Sequence, residues 1–125
     1  MNFKSVLYNW YHWDAQRNIT IAAQGYTDPS YTSQFPLYPT LIHLCSSVLR
    51  TDPLFTGMLV ANIAFFAALT IFYRLQVTEG DEQDERVKSQ AQRGVLYLAL
   101  FPTALFFFAA YNTALILCLI LACIY

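Results

Sequence analysis

Polar and apolar positions divide the chain into a polar, aromatic head and a greasy remainder. Residues 1–35 mix charges, amides and hydroxyls with rings at Tyr8, Trp10, Tyr11 and Trp13, followed by Tyr26 and Tyr31. Rings that are apolar in body and polar at the tip favour the headgroup level of a bilayer, so the head is expected to be an external, interfacial loop. Inside it, Ala15, Ile19 and Ala22 recur at helical spacing, Asp14 stands where an N-cap would, and Gly25 suits the left-handed residue that follows a helix. The pattern predicts a short helix over 14–24. Thr27-Asp28-Pro29-Ser30 then predicts a turn, because the residue before a proline is pushed out of helical geometry.

Residues 36–125 read as a transmembrane region. The apolar run 36–49 is shorter than the roughly 20 residues a helix needs to cross the hydrocarbon core, which predicts either a short tilted pass or a helix lying in the interface. Pro39 fits its first turn. Residues 54–75 are the clearest predicted span, with about 20 uncharged positions covering about 30 Å. Gly57, Ala61, Ala64 and Ala68 form a stripe of small side chains along it, inviting close approach by a neighbouring helix. The stripe is expected to need partner helices from outside this stretch of chain. Residues 76–93 carry Glu79, Asp81, Glu82, Asp84, Glu85, Arg86, Lys88 and Arg93 and are expected to be a solvated loop. They lack the spacing and glycine of a calcium loop. The uncharged run from Gly94 onward, about 32 residues, is too long for one span and predicts two, 94–110 and 113–125, with Pro102 a candidate kink. The expected fold class is an all-α polytopic membrane protein with an interfacial loop and two to four transmembrane helices.

Composition sharpens this picture. The 125 residues are 57% hydrophobic and only 12% charged, against roughly 25% charged in an ordinary soluble domain. A net charge of −1 provides no basic footprint for nucleic acid. Cys45, Cys118 and Cys123 all lie in apolar stretches and read as small hydrophobes. The N-terminal residues contain no apolar core of signal-peptide length. Orientation has two solutions. Either the 74–93 segment, with Arg74, Arg86, Lys88 and Arg93, is cytoplasmic and 36–49 lies in the interface, or 36–49 crosses and Arg50 marks the cytoplasmic side. Both place Asp14 outside the cytoplasm.

Asp14 is the main candidate for chemistry. A carboxylate at a helix start near the bilayer surface suits a general base toward a hydroxyl, and it equally suits a plain helix cap. His12, Asp14 and His43 do not make up a metal-ligand set. No glycine-rich phosphate loop, nucleophile elbow or zinc-protease motif is present. Asn18-Ile19-Thr20 is a glycosylation sequon that the predicted helix disfavours. A small transporter has little support, since the 54–73 span contains only the amide of Asn62 and no ionisable group.

Several stretches together resemble one family. They are Trp13-Asp14-Ala15, Ile21-Ala22, Gly25-Tyr26, Phe35-Pro36-Leu37-Tyr38-Pro39, Tyr73-Arg74-Leu75, Leu100-Phe101-Pro102-Thr103-Ala104, Phe106-Phe107-Phe108 and Tyr111. Their order and spacing are similar to the mannosyltransferase family that adds the second mannose to GPI anchors, and most of all to its prokaryotic, polytopic GT-C-type relatives. The resemblance implies a GT-C-like N-terminal portion, a lipid-phosphate sugar donor, a glycolipid or other hydroxyl acceptor on the non-cytoplasmic side, and no cofactor or metal. It makes Asp14 the catalytic residue that activates or orients the acceptor oxygen. Trp13, Tyr26, Phe35, Pro36, Tyr38, Pro39 and Tyr111 would shape the substrate site. The expected location is an integral position in a bacterial cell membrane rather than the endoplasmic reticulum. The family has a membrane helix before its Trp-Asp motif, further helices after the position of Tyr125, and a carboxylate where this chain has Thr113. The chain is therefore expected to be part of a longer enzyme or a decayed copy of one, inactive alone in either case. The alternative expectation is a non-enzymatic membrane subunit or lipid-binding scaffold.

Overall fold

The computed structural model describes residues 5, 14–80, 83–101 and 112–125. Among them the fold is entirely helical: α1 (Asp14–Gln24), a 3-10 helix (Pro29–Ser33), α2 (Leu37–Leu49), α3 (Pro53–Glu79), α4 (Glu85–Leu100) and α5 (Thr113–Ile124).

From Asp14 onward the head has the short helix and the turn that its pattern predicts. Helix α1 buries Ala15, Ile19 and Ala22, together with Asn18 and Ile21. It ends at Gly25, whose φ of +79° is the left-handed conformation that stops a helix, with the Gly25 N–H donating to Ile21 O at 2.8 Å. Asp28 is extended, as a residue before proline should be, and its carboxylate accepts from Ser30 N to cap the 3-10 helix. In α2, Pro39 occupies the first turn and the left-handed Arg50 closes the helix. Thirteen residues span about 20 Å, short of the roughly 30 Å hydrocarbon core. Asp52 and Pro53 then start α3 together, the aspartate accepting from Leu54 N at 2.8 Å and the proline taking a position that needs no donor.

Helix α3 is the axis of the fold. Its 27 residues make it, by length and composition, a helix able to cross a membrane, and it is the one such helix among the described residues. Ala15 and Ile19 of α1 pack with Leu54 and Met58 at its N-terminal end. Ala22, Tyr38 and Ile42 gather with Val60 and Leu115 a little further along. Ala64 and Phe65 then receive Ala114, Leu115 and Cys118 of α5. Tyr125, at the far end of α5, lies by Tyr73 and Val77, so α3 and α5 run parallel. Between them in sequence, α4 runs back along α3, with Gly80 against Val87 and Gly94 against the Gln76 amide.

Two expectations need correction. The 76–93 stretch is no loop: α3 continues to Glu79 and α4 begins at Glu85, leaving a connection of a few residues. Its charges belong to helix surface. Asp84 caps α4 through Arg86 N, and Val87 and Ala91 turn inward, so high polarity here marks an exposed face rather than broken structure. The small-residue stripe of α3 is also covered from within the chain. Gly57, Ala61, Ala64 and Ala68 are all buried, against α2 and α5 at the positions just described. Of the 94–110 segment, residues up to 100 are helical in α4, and Phe101, preceding Pro102, is extended. Residues 102–111, with the Pro102 kink, lie outside the described residues.

Candidate functional site

Asp14 is the first residue of α1, and its side chain is 51% exposed. Its neighbours are held by the chain's return path. After Gly25 the backbone turns, forms the 3-10 helix and comes back beside α1, so that Gln34 Nε2 donates to Asp14 Oδ1 at 3.4 Å. A carboxylate only accepts, which fixes the amide nitrogen as the donor. Tyr26 Oη in turn donates to the Gln34 carbonyl at 3.3 Å. Arg17, one turn along α1, lies 3.9 Å from the same carboxylate oxygen. These contacts are long, that from Gln34 part-buried and that from Arg17 between half-exposed side chains. They orient Asp14 without burying it.

The predicted site residues separate into two groups. Asp14 and Tyr26 come together through Gln34, and Phe35 and Pro36 stand exposed where the chain enters α2. Tyr38 and Pro39 do something else. Tyr38 is fully buried, its hydroxyl donating to Gly57 O at 2.8 Å and tying α2 to α3, and Pro39 is buried beside it. The expectation that Tyr38 presents a surface to substrate is thereby corrected: a phenol donor reaching a backbone carbonyl of α3 is a fastening of the fold. Trp13 and Tyr111 lie outside the described residues.

Three polar residues that pattern reading did not assign to the site belong here. Gln34 and Arg17 touch Asp14. His43 lies across a second feature, a cleft of about 360 Å³ between the C-terminal end of α1 and α2. Its Nδ1 is 2.8 Å from Ala22 O, and Tyr26 forms part of the same wall. Arg17 follows from helical i,i+3 spacing. Gln34 and His43 left no signal, because their partners are remote in sequence and one of those partners is a backbone atom. Asn18, one turn beyond Asp14, is fully buried with neither amide atom hydrogen-bonded, so the sequon asparagine is closed to modification.

Electrostatically, Asp28 is the titratable group of the head with a defined perturbation. The hydrogen bonds from Ser30 hold its carboxyl below the ordinary aspartate value. The segment at the opposite end of α3 mixes four basic residues, Arg74, Arg86, Lys88 and Arg93, with five acidic ones, Glu79, Asp81, Glu82, Asp84 and Glu85, and Lys88 pairs with Glu85 at 3.1 Å. The chain matches no family model, no curated protein and no solved structure.

Proposed function

We propose that the chain is the membrane-seated acceptor end of a GT-C-type sugar transferase, in which Asp14 receives the proton of an acceptor hydroxyl. As that oxygen attacks the anomeric carbon, the new C–O bond forms, the bond from carbon to the lipid phosphate breaks, and the phosphate departs with its electron pair. One observation carries this reading. Asp14 is a half-exposed carboxylate at the head of an amphipathic helix whose next turn, Ala15 and Ile19, packs on the first turns of the apolar helix α3. A carboxylate there stands where a lipid headgroup meets water, which is where a lipid-phosphate donor offers its sugar.

Other features support it. Gln34 and Tyr26 steady the carboxylate from one side, and Phe35 and Pro36 offer exposed apolar surface next to it. The basic residues Arg74, Arg86, Lys88 and Arg93 gather at the other end of α3, which by the positive-inside rule sets Asp14 on the non-cytoplasmic side. On this reading the protein is an integral, polytopic protein of a bacterial cell membrane. Its partners are a lipid-phosphate-linked sugar, a glycolipid acceptor and the further helices of the enzyme, with Trp13 and Tyr111 completing the substrate site. The scaffold alternative loses one of the two features that motivated it, since the small-residue stripe is buried within the chain, and keeps the other, a threonine at position 113 where the resembled family has a carboxylate.

The test is Asp14→Asn in the complete gene product, assayed in membranes for transfer from polyprenyl-phosphate mannose to a lipid acceptor. Transfer is expected to fall about 10²–10⁴-fold, the range for loss of a positioned general base. Helix content and unfolding midpoint should stay as they are. A folded variant that transfers at the full rate removes Asp14 from the chemistry.

A further inference from the structure

The cleft at His43 has its own chemistry. Its walls are largely apolar, formed by Ile21, Ala22 and Pro39, with the half-exposed ring of Tyr26 on one side and Thr40 on the floor of α2. Its volume, about 360 Å³, is within the range of small-molecule sites. His43 Nδ1 lies 2.8 Å from Ala22 O. A backbone carbonyl only accepts, so Nδ1 carries the proton, and in the neutral ring Nε2 holds the lone pair. Nε2 makes no hydrogen bond among the described residues. With Gln24, Tyr26 and Thr40 as the other polar side chains around it, Nε2 offers an acceptor beside a largely apolar wall, which suits a neutral ring whose C–H face packs on the wall while one hydroxyl donates to nitrogen.

A chain of hydrogen bonds links the cleft wall to Asp14. Tyr26 lines the cleft and reaches the Gln34 carbonyl, and the Gln34 amide reaches the carboxylate. Along α1, from Asp14 to Ala22 where His43 is anchored, the axial distance is about 12 Å at 1.5 Å per residue. One sugar ring does not bridge that gap, and two linked rings do.

We propose that the His43 cleft is the distal subsite for the acceptor, binding the second ring of a two-ring hydroxylated headgroup through a hydroxyl donated to His43 Nε2. The ring nearer Asp14 presents the reacting oxygen. Both the assignment of this ligand as acceptor and the preference for two rings rest on the transferase reading of Asp14.

The test uses histidine-¹⁵N-labelled chain in phosphatidylcholine nanodiscs, titrated with dimannosyl diacylglycerol and, separately, with monomannosyl diacylglycerol. The two-ring lipid is expected to move the His43 Nε2 resonance toward a hydrogen-bonded acceptor and to bind about tenfold more tightly than the one-ring lipid, the worth of one good hydrogen bond. His43→Asn keeps a donor at the Nδ1 position for Ala22 O and removes Nε2. It should hold its unfolding midpoint and lose the tenfold preference, while His43→Gln, which returns a polar atom at the Nε2 position, regains part of it. Equal binding of the two lipids by the unaltered protein, or full preference in folded His43→Asn, overturns the proposal. A two-ring preference that persists beside full transfer by Asp14→Asn leaves a glycolipid site and removes the transferase reading instead.

Discussion

The N-terminal end of α3 is fastened by directed bonds between elements, whereas its C-terminal end is held by close packing. Tyr38 donates to Gly57 O, His43 bonds to Ala22 O, Thr51 meets Thr56 at 2.8 Å, and Gln34 reaches Asp14. At the other end Gly80 lies against Val87, Gly94 against Gln76, and the ion pair Lys88–Glu85 is on the surface, where such pairs contribute little. Directed bonds fix orientation as well as distance. The end with side chains held at set angles is the end that carries Asp14 and the His43 cleft, while the far end is packed and charged with both signs.

The sharpest way to break this comparison is Asp14→Asn, with its expected loss of about 10²–10⁴-fold in transfer and no loss of fold. If the same substitution lowered the unfolding midpoint, Asp14 would belong with the fastenings. Next in size is Ala61→Leu. Ala61 is fully buried on the stripe, so the larger side chain should destabilise by about 1–3 kcal/mol in a thermal unfolding series in detergent. Ile63→Ala, on the same helix at a position 61% exposed, is the control and should stay within about 0.5 kcal/mol.

The stripe also shows what a sequence conveys and what it omits. Small residues at helical spacing announced that something packs closely there, but not what, since Leu115 and Cys118 carry no mark of their destination. The course of helix α1 from Asp14 and its C-terminal boundary were legible because a three-residue apolar face lies within it and a glycine follows it directly. The 76–93 helices were not, because charge density was taken for lack of structure when it describes only one side of a helix. Within the site, Asp14 and Tyr26 stood out by residue type. Gln34 and His43 did not, since each is defined by where a distant backbone passes.

Smaller effects refine the contrast. Tyr38→Phe removes one fastening and leaves the Gly57 carbonyl without its donor, and should lower stability by about 0.5–1.5 kcal/mol in the same unfolding series. The least change is expected at Asp28. Its folded-state pKa is depressed below 3.8, so the contribution of its Ser30 bonds is fully present above the unfolded value and is lost as pH falls through the folded one. Amide exchange at Ser30, followed between about pH 5 and pH 2, should show protection falling with pH in the unaltered chain, and Asp28→Asn should abolish that dependence.

The parallel course of α3 and α5 has a consequence for how the protein is made. Ala64 leaves the ribosome about 50 residues ahead of Ala114, its eventual neighbour, which at about 5–20 residues per second is a delay of about 3–10 s. During that interval α1 and α2 are already available to cover Gly57 and Val60, but the part of the stripe around Ala64 is bare. The newly made helix thus presents a half-finished seam until α5 follows it.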